Sequence, residues 1–175
     1  MMNETPKKIW VDEALRLFCY DESSPSCLRY KVDRTPKRHA GEMSGALTGG
    51  KNKPNKYWEV VVMGKRIKGH WVVWALHHGE FPKFIDHING DSQDNRIENL
   101  REANEIKNGQ NRQISKNNTT GVKNVSFMSK LNRYKVTIFV DGVQKIIGTY
   151  KSIEEAEASA IQAREKYHGQ FARHS

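Results

Sequence analysis

Residues 84–111 read Phe-Ile-Asp-His-Ile-Asn-Gly-Asp-Ser-Gln-Asp-Asn-Arg-Ile-Glu-Asn-Leu-Arg-Glu-Ala-Asn-Glu-Ile-Lys-Asn-Gly-Gln-Asn. Asp86 and His87 follow the apolar lead-in Phe84-Ile85, as at the end of a buried strand. Asn89-Gly90 is a tight-turn signal, and Leu100 after Asn99 is an apolar anchor. Asn104 suits a helix N-cap, with Asn108 one turn later on the same face. Phosphodiester hydrolysis needs a base to deprotonate water and a cation for the phosphate charge. The near-neutral pKa of histidine fits His87 to the base role. The side-chain oxygens of Asp86 and Asn108 suit a hard divalent cation, Mg²⁺ or Mn²⁺, better than a soft one. Asn99 is placed to accept a proton from the far ring nitrogen of His87 and so fix its tautomer. Asp91 and Asp94 read as turn residues, while Asn95 and Arg96 either anchor the loop or touch phosphate.

Charge outside this stretch points the same way. The chain has 175 residues with 29 Lys and Arg against 20 Asp and Glu, a formal net charge of +9. That favours a polyanionic partner, most often nucleic acid. Residues 1–83 carry 15 basic and 9 acidic side chains, 84–118 carry 5 and 6, and 119–175 carry 9 and 5. A near-neutral segment rich in Asp, Asn and His therefore lies between two basic ones. Cys19 and Cys27 form no C-x-x-C pair, which excludes a zinc knuckle, and no disulfide is expected. No apolar run marks a signal peptide or a membrane span, so a cytoplasmic location is expected.

Upstream, the spacing of Ile9, Trp10, Ala14, Leu15, Leu17 and Phe18 predicts a short amphipathic helix over 9–20. Cys27 to Val32 reads as a strand, and 33–56, rich in Lys, Gly, Pro and Asn, as loop. Tyr57 to Met63 predicts a strand turning at Gly64-Lys65 into a partner at 66–68. His70 to His78 has helical spacing, with Gly79 as its C-terminal cap. Trp71 and Trp74 there read as core packing. Downstream, 112–118 has no apolar period and reads as a linker. Val122 to Phe127, Tyr134 to Val140 and Val143 to Tyr150 read as strands, the last two joined by Asp141-Gly142, a type I′ hairpin signal. Ser152-Ile-Glu-Glu155 is a capping box opening an amphipathic helix.

The run Asp86-His87-Ile-Asn-Gly-Asp91, then Asp94-Asn-Arg-Ile-Glu-Asn-Leu100, then Asn104 and Asn108, resembles the HNH endonucleases, the ββα-metal fold of bacteriophages and mobile introns. Tyr57 to Met63, Gly64-Lys65, His70, Trp74-Ala-Leu76 and Gly79-Glu-Phe-Pro82 are similar to that subfamily's lead-in, and residues 20–32 with Ala40-Gly41 to its N-terminal hairpin. The resemblance covers roughly 13–112. It implies that Asp86 and Asn108 hold one divalent cation, that His87 is the general base, and that Asn99 orients it. Asn108 stands where the family's name has its last histidine. The products it implies carry 5′-phosphate and 3′-hydroxyl ends.

Gly121-Val-Lys123, Tyr134-Lys-Val136, Ile147-Gly-Thr-Tyr150, Glu155-Ala156, Gly169 and Phe171 resemble the Apetala-two (ethylene-response-factor) DNA-binding domain, over about 119–172. In that family a three-stranded sheet lies in the major groove. The matching positions here include Lys123, Phe127, Thr137 and Gln144, with Arg133, Lys135 and Lys145 as phosphate contacts. The expectation is an α+β chain: a ββα-metal nuclease domain with N-terminal hairpin elements over 1–111, a linker over 112–118, and over 119–175 a three-stranded antiparallel sheet packed on one helix. Its expected activity is metal-dependent, homing-type nicking or cleavage of double-stranded DNA, with no membrane and no obligate protein partner. The alternatives are a non-catalytic DNA-binding regulator with a vestigial motif, and a nuclease acting on RNA or without sequence preference.

Overall fold

The computed structural model describes residues 4–49, 56–103, 114–115, 117–172 and 174. The chain divides into two compact units, Met1–Ala103 and Asn104–Ser175. Both mix helices with small antiparallel sheets, so the fold class is α+β.

In the first unit, α1 (Glu4–Leu17) leads directly into β1 (Phe18–Tyr20), which pairs antiparallel with β2 (Leu28–Tyr30). The expected helix over 9–20 therefore stops three residues early. Tertiary pairing overrides the helical spacing here: Phe18 is register partner of Tyr30, and their rings lie 5.6 Å apart in the core. A three-stranded sheet follows, in the order β3 (Ala46–Thr48), β4 (Tyr57–Val62), β5 (Lys65–Lys68). β3 falls inside the stretch expected to be loop. Three residues between Gly45 and Gly49 are too short to show alternation, and the segment is ordered by pairing with β4.

β4 and β5 are joined by Met63-Gly64, both at positive φ, as a two-residue hairpin turn of the I′ kind requires. The turn sits one residue earlier than its sequence signal. α2 (Gly69–His78) packs back on β4 and closes on Gly79 in the left-handed conformation. Its first residue must be glycine: a Cβ on Gly69 would lie 3.0 Å from Asn95 Nδ2 and 3.2 Å from the Trp58 carbonyl oxygen. This close approach brings the start of α2 against the motif loop. β6 (Ile85–His87) and β7 (Leu100–Glu102) form an antiparallel ribbon, with Ile85 and Leu100 seated in the core built by Leu17, Phe18, Leu28, Val60, Val62, Val72 and Val73.

The second unit has the strand order β10 (Val143–Tyr150), β9 (Arg133–Val140), β8 (Val125–Met128). Asp141 and Gly142 take positive φ in the hairpin between β9 and β10, at the position their sequence marks. Ser152 caps α3 (Ile153–His168) by accepting the Glu155 N–H through its side chain. Ala156 and Ala160 of α3 pack on Val125 and Val136. The small side chains let helix and sheet approach closely. Arg164 of α3 is buried, and its guanidinium donates to the Lys123 carbonyl at 2.8 Å, fixing the chain just ahead of β8. Both cysteines are free thiols. Among the described residues no helix is long and apolar enough to cross a membrane.

Candidate active site

The β6–β7 ribbon carries Asp86 and His87, both buried. Alternation along a strand sends neighbours to opposite faces. His87 meets α2: its ring stands perpendicular to that of His70 at 4.9 Å, with the Tyr57 ring 6.4 Å away. Asp86 is register partner of Arg101 and takes from it a charge-assisted pair, Nη2 to Oδ2 at 2.6 Å and Nε to Oδ2 at 2.9 Å.

The tautomer of His87 follows from its neighbours. Asn95 is buried, and its Nδ2 donates to the Ser26 carbonyl at 3.2 Å, which turns Oδ1 toward the imidazole. Oδ1 lies 3.3 Å from His87 Nε2. An amide oxygen only accepts, so Nε2 carries the hydrogen and the neutral ring presents its lone pair on Nδ1. Burial pushes the His87 pKa below its ordinary value, against the Asn95 hydrogen bond and the carboxylates of Asp86, Asp91 and Asp94, which pull the other way. The imidazole is therefore neutral near pH 7, the form a general base needs.

Asn99 was expected to hold this ring, and the structure corrects that. Its Oδ1 accepts the Asn89 N–H at 2.9 Å and its Nδ2 donates to the Asp94 carbonyl at 2.8 Å. Both ends of the amide are used to close loop 88–96. Arg96 forks onto the Asp94 carboxylate at 2.8 and 2.7 Å, which holds that acid down to about 2, and Asn89 Nδ2 adds a third bond to it at 2.8 Å. Asp94, Arg96 and Asn99 thus brace the loop that delivers Asn95. The N-terminal hairpin takes part as well. Besides the Ser26 carbonyl, it supplies the Tyr20 hydroxyl, which accepts the Ile97 N–H at 3.1 Å.

His70 is buried beside Tyr57, His87 and Lys68, without a carboxylate among them, and burial first, then the charges of His87 and Lys68, push its pKa well below 6.5. The unfolded chain takes up this proton near the ordinary value while the folded unit does not. The associated stability is complete above about pH 6.5 and drains as pH falls below it. The thermal midpoint of the first unit is expected to drop between about pH 7 and pH 5. The drop should be shallower in His70→Phe; equal slopes would contradict this reading.

Asn108 and the helix expected around it lie outside the described residues, so Asp86 is the one expected metal ligand whose surroundings are described. Its carboxylate is a hard donor of the type Mg²⁺ and Mn²⁺ prefer. The Arg101 guanidinium already neutralises it, so a cation there shares the carboxylate with Arg101 or displaces it. Among the described residues no group of three or more His, Cys, Asp or Glu is arranged to hold a metal ion.

In the second unit, the strand register sorts the residues expected on DNA. Val136 faces α3, so Arg133, Lys135 and Thr137, at odd spacing from it, lie on the opposite face of β9. Gln144, opposite Phe139, lies there too. Phe127 and Lys145 do not join this face. Phe127 pairs with Tyr134 on the helix side, ring to ring at 5.1 Å, and Lys145 Nζ stands 5.2 Å from the Tyr167 ring of α3. Lys123 precedes β8 in the turn held by Arg164.

The ribbon, its amide-braced loop and the buried imidazole coincide with a recognised family. A family model described as HNH endonuclease matches residues 68–110, so this part of the chain is an HNH endonuclease domain. The chain belongs to the same family as protein 3.8 of Escherichia phage T7. The two are 32% identical over 111 residues, which span 62% of this chain and 91% of the phage protein. No solved structure matches.

Proposed function

We propose that the chain is a metal-dependent endonuclease acting on double-stranded DNA, with His87 as general base. The observation that carries this reading is the Ser26–Asn95–His87 relay, which holds a buried, neutral imidazole in one tautomer at the centre of the HNH match. Bound between Asp86 and Asn108, a divalent cation, Mg²⁺ or Mn²⁺, would supply charge neutralisation at the scissile phosphate. His87 Nδ1 accepts the proton of the attacking water. Asn95 keeps the hydrogen on Nε2 while this happens, and Asn99 keeps the loop, and with it Asn95, in place. Arg101 holds the Asp86 carboxylate in position on the ribbon.

In the same reading, the outer face of β8–β10 grips the duplex in the manner of an Apetala-two domain. Arg133 and Lys135 meet phosphates, while Thr137 and Gln144 reach toward bases. The strands β8, β9 and β10 contain no Asp or Glu, which supports a polyanion as their partner. Such a division of labour fits site-preferring, homing-type cutting.

Sequencing the ends generated on whole-genome DNA with Mg²⁺ or Mn²⁺ tests this. Ends bearing 5′-phosphates at recurring positions are expected, and none when EDTA is present. Ends scattered evenly would argue for a nuclease without site preference. A protein that binds the DNA and makes no ends would be the non-catalytic regulator.

A further inference from the structure

We propose that Phe139 and Ile146 read thymine methyl groups in the major groove, so that the sheet of the second unit selects A·T pairs. The proposal rests on the DNA-gripping role of that sheet. Phe139 and Ile146 are 56% and 65% exposed, on strands whose other large apolar side chains mostly pack toward α3. The register pairs Gln144 with Phe139 and Ile146 with Thr137, which makes the two apolar residues diagonal neighbours on the face opposite the helix. Alternation turns Ile147 toward the core while Ile146 stays on the outer face, and the register irregularity between Ile146 and Gly148 follows them.

An apolar pair left in water on the open face of a sheet marks a contact surface. The surroundings decide what it contacts. Thr137, Lys135 and Arg133 continue the same face along β9 away from the pair, and the absence of acidic side chains from all three strands favours a polyanion over an apolar protein partner. On a duplex, the apolar feature within reach of a major-groove sheet is the thymine C5-methyl. Gln144 strengthens the assignment. A glutamine amide matches the N6 and N7 edge of adenine, and this one lies directly across the strand pair from Phe139. One amide and one apolar group side by side match the two halves of an A·T pair.

The test is binding of the full chain, in EDTA so that nothing is cut, to an A·T-rich 30-base-pair duplex. Its twin has every thymine replaced by uracil, which removes only the methyls. The wild type is expected to bind the uracil duplex about four- to fifteenfold more weakly, the factor for one or two methyl groups taken out of water. The double variant F139S/I146S is expected to bind both duplexes alike, at the weaker level. Equal wild-type affinity for the two duplexes overturns the proposal, and so does undiminished discrimination by F139S/I146S. In either case, loss of affinity for both duplexes in R133A/K135A leaves the DNA-gripping sheet standing. If the wild type binds neither duplex, the gripping role itself falls, and this proposal with it.

Discussion

His87→Ala is expected to lower the rate of DNA cleavage by about 10²–10⁴-fold, the usual contribution of a positioned general base. Its affinity for the same duplex should stay within about twofold of wild type, because gripping is assigned to Arg133, Lys135 and their neighbours on another unit. The separation follows from structure. His87 is buried on the ribbon against His70 and Asn95, so its loss removes a proton acceptor and no surface charge. Asn95→Ala should act on the same step with a smaller effect. It leaves the imidazole present but frees its tautomer and ring plane. A His87→Ala protein that cuts at the wild-type rate would remove the assigned base. One that no longer binds DNA would place His87 in binding instead.

Arg101→Met is expected to have the largest effect on stability. Asp86 and Arg101 have side-chain exposures of 10% and 14%, and two of the guanidinium nitrogens converge on one carboxylate oxygen. Removing the guanidinium leaves a nearly buried charge without that partner, a loss of about 3 kcal/mol. For a unit of this size the thermal midpoint should fall by about 10 °C or more. Adding Asp86→Asn in the same chain should recover most of the loss, since a neutral amide requires no counter-charge. The pair also reports on the metal. If Asp86 holds a divalent cation, Mn²⁺ should restore part of the stability of Arg101→Met and none of that of the double variant. Calorimetry across the wild type, Arg101→Met and the double variant measures both effects. A midpoint for Arg101→Met within about 2 °C of wild type would show that the ion pair is incidental.

Much of the scaffold was legible in sequence because local chemistry dictates it. Asp141-Gly142 fixes its hairpin through positive φ, Ser152 caps α3 through its hydroxyl, and the strand expected from Tyr57 forms over Tyr57–Val62. What was not legible depends on pairing between short segments. β7 has three residues, too few for a period, so nothing in the sequence placed Arg101 across from Asp86. Asn95, Asn99 and Asn89 are equivalent as letters. Which amide meets His87 is decided by how the loop folds and by Ser26, sixty-nine positions from Asn95. The sides of Phe127 and Lys145 were misread for a related reason. Family resemblance aligns positions, while the register of β8 and β10 against β9 decides which face they join. The alternation from Arg133 to Phe139 did hold the signal for the outer face, since Arg133, Lys135, Thr137 and Phe139 share one parity.

These points converge on a ribbon that presents one neutral imidazole beside one carboxylate, backed by a loop whose amides are spent on holding it. The N-terminal hairpin is tied to that centre by the Ser26 carbonyl and the Tyr20 hydroxyl. The measurement that bears most directly on this account is the conversion of supercoiled plasmid to open circle by the purified full chain. With Mg²⁺ or Mn²⁺ the plasmid should be nicked, and EDTA should stop the reaction. A plasmid that remains supercoiled with either cation, under conditions where the protein is bound to it, would contradict the assignment of a nuclease centre to Asp86 and His87.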